Sequence, residues 1–398
     1  MRSAREGRQV FRYDYILVAT VIMLTLIGLV TLYSASYLFA LNQPGRFGSR
    51  GGWTPLFGNI MACIIMIVFF PLLASVKLDA LKKEWFIIGL VFFTIFINLL
   101  PFVPFFQKGN FDPAVDVRRW IIIRRGGSDW LSFQPSEIIK VVLPLYLAYI
   151  LDKNTEKINK LVYGPLPPAI VTGVFCVLVV LQNNLSELVL IILISAAVCF
   201  VAGIRIRWFV IAVILFAPIG HRLILGDTEG RWYQRLRIFI DPGQDMFGAR
   251  YQTDMSMEAI RSGGFWGRGI GQGVVKTRIP EVHGDFVFAS YAEEFGLLGV
   301  FLHLVLIGAF AGIVFYIVWR SRDRFSQLLA FGLVTPIVLQ TLLNVAVVAN
   351  AVPTTGIALP FVSSGGSSLL MTLCASALLV NLARRHVLSL DKEERDAR

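Results

Sequence analysis

The chain has 398 residues, of which 56% are hydrophobic and 16% are charged, and its formal net charge is +11. A water-soluble protein of this length with a mean hydropathy of +0.68 would expose large apolar patches, so the composition indicates an integral membrane protein. The positive residues are scattered between apolar runs and match no RNA- or DNA-binding module. This excludes nucleic acid and favours the lipid bilayer and an anionic lipid-linked substrate as partners.

About ten apolar runs are long enough to cross a bilayer, which requires roughly 20 residues. The first run is too long for a signal peptide and lacks a small-residue cleavage site, so we expect it to be retained. We therefore predict an all-α polytopic membrane protein with one integral membrane domain over 1–398. The predicted spans are 13–38, 53–74, 85–106, 134–151, 166–182, 185–203, 208–225, 285–318, 325–348 and 367–383.

Lysine and arginine residues in the short connections set the predicted orientation, because cytoplasmic loops carry an excess of positive charge. They place the N-terminal segment 1–12 and the tail 384–398 in the cytoplasm. Two longer connections, 107–133 and 226–284, are then extracytoplasmic, and the second separates the seventh and eighth spans. Both are basic. Since long loops are translocated whatever their charge, this basicity indicates either an outward-facing anion site or no function.

The first outer connection leads into a charged cluster at a predicted helix N-terminus. Arg118 and Arg119 precede the helix, and Pro135 marks its first turn, where free N–H groups and the helix dipole favour anions. Glu137 and Lys140 share one face of that helix. A lysine one turn inside a span is costly unless it is paired or faces a wet cavity. The cluster therefore predicts either phosphate binding or a structural ion pair between these two residues.

The second outer connection carries a glycine ladder from Gly263 to Gly273, followed by Lys276, His283 and Asp285. Glycines at this density allow backbone N–H groups to approach a ligand, and the three polar residues bring charge and proton chemistry to the edge of the apolar phase. We predict a polar site here, with Lys276 and His283 as substrate-binding residues.

Asp285 is the predicted acid or base of this site. It has apolar neighbours on its C-terminal side and basic residues on its N-terminal side, a setting that suits a catalytic carboxylate. The alternative is that Asp285 caps the helix that follows it, which is a common role of aspartate. The two roles are compatible.

A third polar segment, 353–368, lies on the same predicted side of the membrane. Its Gly365–Gly366 pair is flanked by serines just before a helix, and such a segment can offer N–H groups and hydroxyls to a phosphate or sugar. Ser367 and Ser368 are therefore candidate substrate-binding residues. Serine and glycine also cap helices and allow close helix packing, which is the alternative.

The order and spacing of these motifs resemble the SEDS family (shape, elongation, division and sporulation) of polytopic membrane proteins over nearly the whole chain. Between the two main branches, the end of the glycine ladder is closer to the FtsW type and 353–356 to the RodA type, and we favour FtsW. The matching segments are 119–121, 133–140, 251–252, 263–273, 280–286, 293–296 and 353–368.

The resemblance implies a ten-helix peptidoglycan glycosyltransferase that polymerises lipid II at the outer face of the bacterial cytoplasmic membrane. Its implied partners are a class B penicillin-binding protein and other membrane proteins of division or elongation. Asp285 stands at the position of the family's essential acid. The cations expected to stabilise the departing undecaprenyl diphosphate are Arg118, Arg119, Lys140 and Lys276. A divalent cation, Mg or Mn, would assist the diphosphate, but no metal-ligand cluster in the sequence requires it and no metal ligand is assigned.

The chain departs from the family pattern in three places. Gly284 stands where threonine is usual beside the acid, and Ser364 stands where tyrosine is usual before the two glycines. The family's Gln-Pro-Asp segment is altered at 182–187, where Glu187 is the residue able to replace the lost aspartate.

A lipid II flippase and a non-catalytic scaffold of the division machinery are the competing functions, with a solute transporter as a third. A flippase predicts charge along a whole transmembrane path, whereas the charges here cluster at the outer mouth. A transporter predicts interrupted helices in both halves of a repeat. A scaffold gives Asp285 and Lys140 no reason to lie near the membrane.

Overall fold

The computed structural model describes residues 13–42, 53–103, 119–125, 128–226, 231–240, 249–280, 282–321 and 323–396. Within these ranges the chain forms thirteen α-helices and one β-hairpin. The helices are α1 (Tyr13–Asn42), α2 (Trp53–Leu73), α3 (Leu78–Leu81), α4 (Glu84–Leu99), α5 (Ser136–Lys153), α6 (Leu166–Leu181), α7 (Leu185–Val201), α8 (Ile206–Leu225), α9 (Arg231–Ile240), α10 (Ala249–Gly263), α11 (Val287–Arg320), α12 (Arg324–Val348) and α13 (Gly366–Asp396).

Each of the ten predicted spans coincides with one helix, namely α1, α2, α4 to α8 and α11 to α13. Helices satisfy their own backbone hydrogen bonds, which lipid cannot do for them. Among the described residues, six helices are long and apolar enough to cross a membrane, whereas α6 and α7 are apolar but only 16 and 17 residues long. The number of ten spans stays a prediction.

The structure confirms a mostly helical fold and adds a β-hairpin, which the all-α prediction did not include. Strand β1 (Ile121–Arg125) pairs antiparallel with β2 (Ser128–Phe133), with a register shift after Ile123. The run of three isoleucines at the start of β1 favours a strand, because β-branched side chains fit a pleated surface. The hairpin lies in the predicted outer connection 107–133, and the predicted connection 226–284 contains α9, α10 and the 3-10 helix Val275–Arg278.

Small residues set how closely the helices approach one another. A Cβ atom added to Gly366 of α13 would lie 2.5 Å from the carbonyl oxygen of Gly58 in α2, and one added to Gly332 of α12 would lie 2.8 Å from Cβ of Pro144 in α5. Such contacts are how membrane helices gain packing energy without help from the hydrophobic effect.

The glycine ladder packs against a kink in α11, where Gly296 has φ +65°. Two acidic residues just before the kink accept hydrogen bonds from backbone N–H groups near the end of the ladder and just after it. The carboxylate of Glu293 accepts from the N–H groups of Val274, Val275 and Lys276, and Glu294 accepts from the N–H of Gly271. Within the ladder, the N–H groups of Gly267 and Gly269 also donate to backbone carbonyl oxygens. This corrects the expectation for these glycines and Gly271, because their N–H groups bind the protein rather than facing a ligand.

Lys276 lies inside the protein with no exposed surface. Its Nζ forms an ion pair with Glu294 and donates to Oγ of Ser34, 2.7 Å away on α1. Ser34 in turn donates to Glu294. The prediction that Lys276 contacts the substrate diphosphate conflicts with this burial, and the structure gives the residue a role in joining α1 to α11.

We predict that Lys276→Met lowers the free energy of unfolding by about 3–5 kcal/mol, because it leaves the Glu294 carboxylate buried and without its ammonium partner. Thermal unfolding in detergent measures the change. The matched control is Lys153→Met, which breaks the exposed Lys153–Glu84 pair (2.9 Å) and should change the melting temperature little. Equal shifts for both variants would contradict the structural role of Lys276.

Candidate active site

Asp285 lies just before α11, and hydrogen bonds from two other segments fix its backbone. The N-cap position of α11 is Phe286, so Asp285 does not stand at the cap position that the alternative interpretation required. Three successive carbonyl groups, including that of the half-buried His283, accept hydrogen bonds. The donors are N of Ser364 to His283 O (2.8 Å), Oγ of Ser363 to Gly284 O (2.9 Å) and Nδ2 of Asn344 to Asp285 O (2.8 Å).

The carboxylate of Asp285 lies against Gly356, close to the guanidinium of Arg235. A Cβ atom added to Gly356 would lie 3.2 Å from Oδ2 of Asp285 and 3.9 Å from Nη1 of Arg235. The same Nη1 donates to the carbonyl oxygen of Thr354 at 3.1 Å. Both charged side chains are half-buried. An acid and a cation thus flank one glycine whose φ of +77° is unfavourable for other residues.

Sequence reasoning missed Arg235. The residue comes from α9, a short amphipathic helix, and its guanidinium lies 5.3 Å from the ring centre of Trp232 on the same face. This cation–π contact restrains the arginine. The signal that would have found it is the amphipathic pattern of α9 inside a connection predicted to face the substrate.

A buried ionic cluster joins α5 to α7 beside this site. Nζ of Lys140 lies 2.7 Å from Oε2 of Glu137 and 3.4 Å from Oε1 of Glu187, and all three side chains are buried. The residue before Glu187, Ser186, donates to the carbonyl oxygen of Thr355 in the segment that carries Gly356. The geometry favours the ion-pair interpretation of Glu137 and Lys140, and it puts a carboxylate on α7 where the family pattern leads one to expect an aspartate.

Arg119 reaches the start of α7 from the outer connection. Its Nη2 donates to the carbonyl oxygen of Asn183 at 2.5 Å, and its charge acts on Glu187. The guanidinium is half-buried. The predicted neighbour Arg118 lies outside the described residues.

Ser367 and Ser368 are buried in the first turn of α13, 3% and 8% exposed. The segment before them is held by Asn59 of α2, whose Nδ2 donates to Ser363 O and whose Oδ1 accepts from the N–H of Gly365, each at 3.0 Å. This corrects the expectation of an open phosphate-binding turn, because the N–H of Gly365 is used in packing and the serine side chains are enclosed.

The described residues bring together no group of three or more His, Cys, Asp or Glu able to hold a metal ion. A divalent cation at the diphosphate therefore stays a prediction, and no step below is routed through it.

Two solved structures of similar fold cover nearly the whole chain. One is a chain from a structure described as "Structural coordination of polymerization and crosslinking by a peptidoglycan synthase complex", with a TM-score of 0.74, 24% identity, and coverage of 94% of this chain and 98% of that one. The other is the crystal structure of the Thermus thermophilus rod shape determining protein RodA, with a TM-score of 0.65, 24% identity, and coverage of 94% and 97%.

Two relatives with closer sequences are probable peptidoglycan glycosyltransferases FtsW. That of Geobacter sp. (strain M18) is 32% identical over 385 residues, covering 95% of this chain and 98% of the relative. That of Bacillus subtilis (strain 168) is 31% identical over 382 residues, covering 93% and 90%. The sequence profile of the FTSW_RODA_SPOVE family, described as cell cycle proteins, matches residues 14–387. The chain therefore belongs to the FtsW/RodA/SpoVE family.

Proposed function

We propose that the chain is a peptidoglycan glycosyltransferase that polymerises lipid II at the outer face of the bacterial cytoplasmic membrane. The observation that carries the proposal is the half-buried pair of Asp285 and Arg235 around Gly356, which offers a base and a cation at one end of the helix bundle. The FtsW relatives, matched over at least 90% of their length, support the same reaction class.

In the proposed reaction the 4-hydroxyl of one lipid II attacks the anomeric carbon of the growing lipid-linked chain. Asp285 accepts the hydroxyl proton as the new C–O bond forms. The bond from the anomeric carbon to the diphosphate breaks, and undecaprenyl diphosphate leaves with the electron pair. A positioned carboxylate suits the first event, and fixed cations suit the second, because charge develops on the leaving group.

We assign the leaving diphosphate to Arg235 and Arg119, whose guanidinium groups are half-buried. Arginine presents a planar set of donors that matches phosphate oxygens. Lys140 is instead a positioning residue, because two carboxylates already neutralise it. Through Ser186 and Thr355 its cluster holds the segment that carries Gly356.

We further propose a class B penicillin-binding protein as partner and cell division as the process. The similar chain from a synthase complex supports the partner, since that complex coordinates polymerisation and crosslinking. Both relatives named above are FtsW proteins, and this supports division over elongation. We also propose that both termini are cytoplasmic, because the short connections on that side carry the excess of lysine and arginine.

We predict that Asp285→Asn reduces polymerisation of labelled lipid II by about 100-fold or more, because the amide cannot accept the hydroxyl proton. The assay uses the purified protein with a class B partner, and gel separation of the glycan product gives the rate. The control is Glu258→Gln, which removes a carboxylate that is 48% exposed and pairs with Arg278 at 3.9 Å. Polymer at the native rate from folded Asp285→Asn protein would refute the assignment. No polymer from the native chain, with lipid II translocated in liposomes, would favour the flippase.

Gly356→Ala should reduce the same rate by about 10- to 100-fold, because the new methyl group displaces the Asp285 carboxylate from its position. Gly203→Ala is a matched control, since Gly203 also has a positive φ (+91°) but has no atom within 4 Å of an added Cβ. Both variants share the backbone strain, so thermal unfolding should shift similarly. An equal loss of rate in both would show that strain, rather than contact with Asp285, is responsible.

Arg235→Gln should lower the polymerisation rate by about tenfold or more through lost stabilisation of the diphosphate. Arg237→Gln on the same helix is exposed and serves as the control. The rates are compared at saturating lipid II, so that a change in substrate affinity is separated from a change in turnover. Equal rates for the two variants would remove Arg235 from the site.

A further inference from the structure

An open apolar groove lies between α7, α8, α11 and α12. Its volume is about 520 Å³, within the range of roughly 300–1,000 Å³ that is typical of small-molecule sites. Its wall is almost entirely hydrocarbon. Representative lining residues are Leu193, Ala197, Phe200, Phe209, Phe331 and Val338.

The groove extends from the end of the bundle opposite Asp285 to about the middle of α7 and α12. Ser186, beside the candidate site, lies in the first turn of α7, and Asn344, which binds Asp285, lies near the C-terminal end of α12. The groove residues Phe200 and Phe331 belong to the far ends of these helices. The groove is therefore separate from the proposed polymerisation site.

The next residues of α8 leave this side of the protein apolar and uncovered. After Phe209, which lines the groove, large side chains point outward all round the helix, and Val213, Ile214 and Phe216 are each more than 60% exposed. An apolar helix with so little protein around it is suited to contact with lipid chains.

Two buried hydrogen-bond donors belong to helices that line this groove, Trp208 to α8 and Arg324 to α12. Arg324 is two turns before Phe331 on the same face of α12, and its Nη2 donates to the carbonyl oxygen of Ala202 at 2.6 Å. Within the described part of the chain, Nε of Arg324 and Nε1 of Trp208 are buried and have no hydrogen-bond partner. Buried donors without a partner are rare and need an explanation. The acceptor atoms of a bound headgroup, such as phosphate oxygens, would satisfy such donors.

The charge of the rim is positive. Arg205 and Arg207 are exposed beside Trp208, and the guanidinium of Arg207 lies 5.2 Å from the ring centre of that tryptophan. Two acidic side chains at this end have Lys82 as their main basic neighbour. Asp323 pairs with it at 2.7 Å, and Asp152 lies within its electrostatic reach, with a smaller effect from Arg324.

We propose that the groove binds an anionic phospholipid, with its acyl chains on the hydrocarbon wall and its phosphate at Arg324 and Trp208. Basic pockets between membrane helices on the cytoplasmic side recognise such headgroups, and the predicted orientation places this end in the cytoplasm. The occupant is a lipid of the bilayer, since the apolar wall has no complement in a free phosphate. The inference is independent of the polymerisation activity.

The test is native mass spectrometry of the purified protein with added dioleoyl-phosphatidylglycerol or dioleoyl-phosphatidylethanolamine, which share their chains. The native chain should retain phosphatidylglycerol at least about fivefold better, the scale expected for one basic residue near an anionic headgroup. Arg324→Gln should remove most of this preference, whereas Trp208→Phe, which lacks the N–H assigned to the phosphate that both lipids carry, should reduce retention of both. Ala197→Phe should reduce retention of both lipids by filling the groove. Trp208→Phe keeps an aromatic ring, so it serves even where Arg324→Gln does not fold.

Matched controls lie outside the groove. Arg278→Gln removes an arginine that is 58% exposed on the opposite side of the bundle, and Val213→Phe enlarges an outward-facing position of α8. Both should retain phosphatidylglycerol as the native chain does. Equal retention of the two lipids by the native chain would overturn the proposal. So would unchanged retention in Trp208→Phe and Ala197→Phe, or losses of the same size in the two controls.

Discussion

The carboxylates of Glu293 and Glu294 organise the end of the molecule at which Asp285 lies. They accept four backbone N–H groups from the segment 271–276, and Glu294 also binds Lys276 and Ser34. Buried polar groups without partners are costly, and near lipid no water replaces a missing partner. The connection before α11 is therefore tied both to that helix and to α1. Since Asp285 lies on this connection, its position depends on the same contacts.

A second cluster works in the same way where α5 packs against α7. The positive charge of Lys140 is neutralised inside the protein by the carboxylates of Glu137 and Glu187. The half-buried charges of Asp285 and Arg235 differ, because each retains contact with the outside. Charged residues that are buried and fully paired, such as Lys140, thus stabilise the structure. Charged residues that remain partly exposed, such as Asp285 and Arg235, are the ones placed to contact a substrate.

The sequence predicted the positions of the apolar helices well, because a continuous apolar run has few alternatives to a helix in a membrane. It offered the ion pair of Glu137 and Lys140, three residues apart, as one alternative, but it did not predict partners that are distant in sequence. Lys276 and Glu294 are 18 residues apart, and nothing in their spacing shows that a kink at Gly296 brings them together. The contact of Arg235 with Thr354 was missed for the same reason, since the two residues are 119 positions apart. Pairing across the fold is set by packing, which local patterns do not contain.

The glycines illustrate this limit most directly. A dense ladder favours close approach of the backbone to something, but the sequence does not say to what. In the structure Gly267 approaches the carbonyl oxygen of Glu294, and an added Cβ would lie 2.1 Å from it. That contact serves packing. The glycine that approaches the acid is Gly356. It lies outside the ladder, in the segment 353–368, where the sequence predicted binding by the Gly365–Gly366 pair and its flanking serines. A single glycine beside the right carboxylate therefore says more about the site than a row of glycines in sequence.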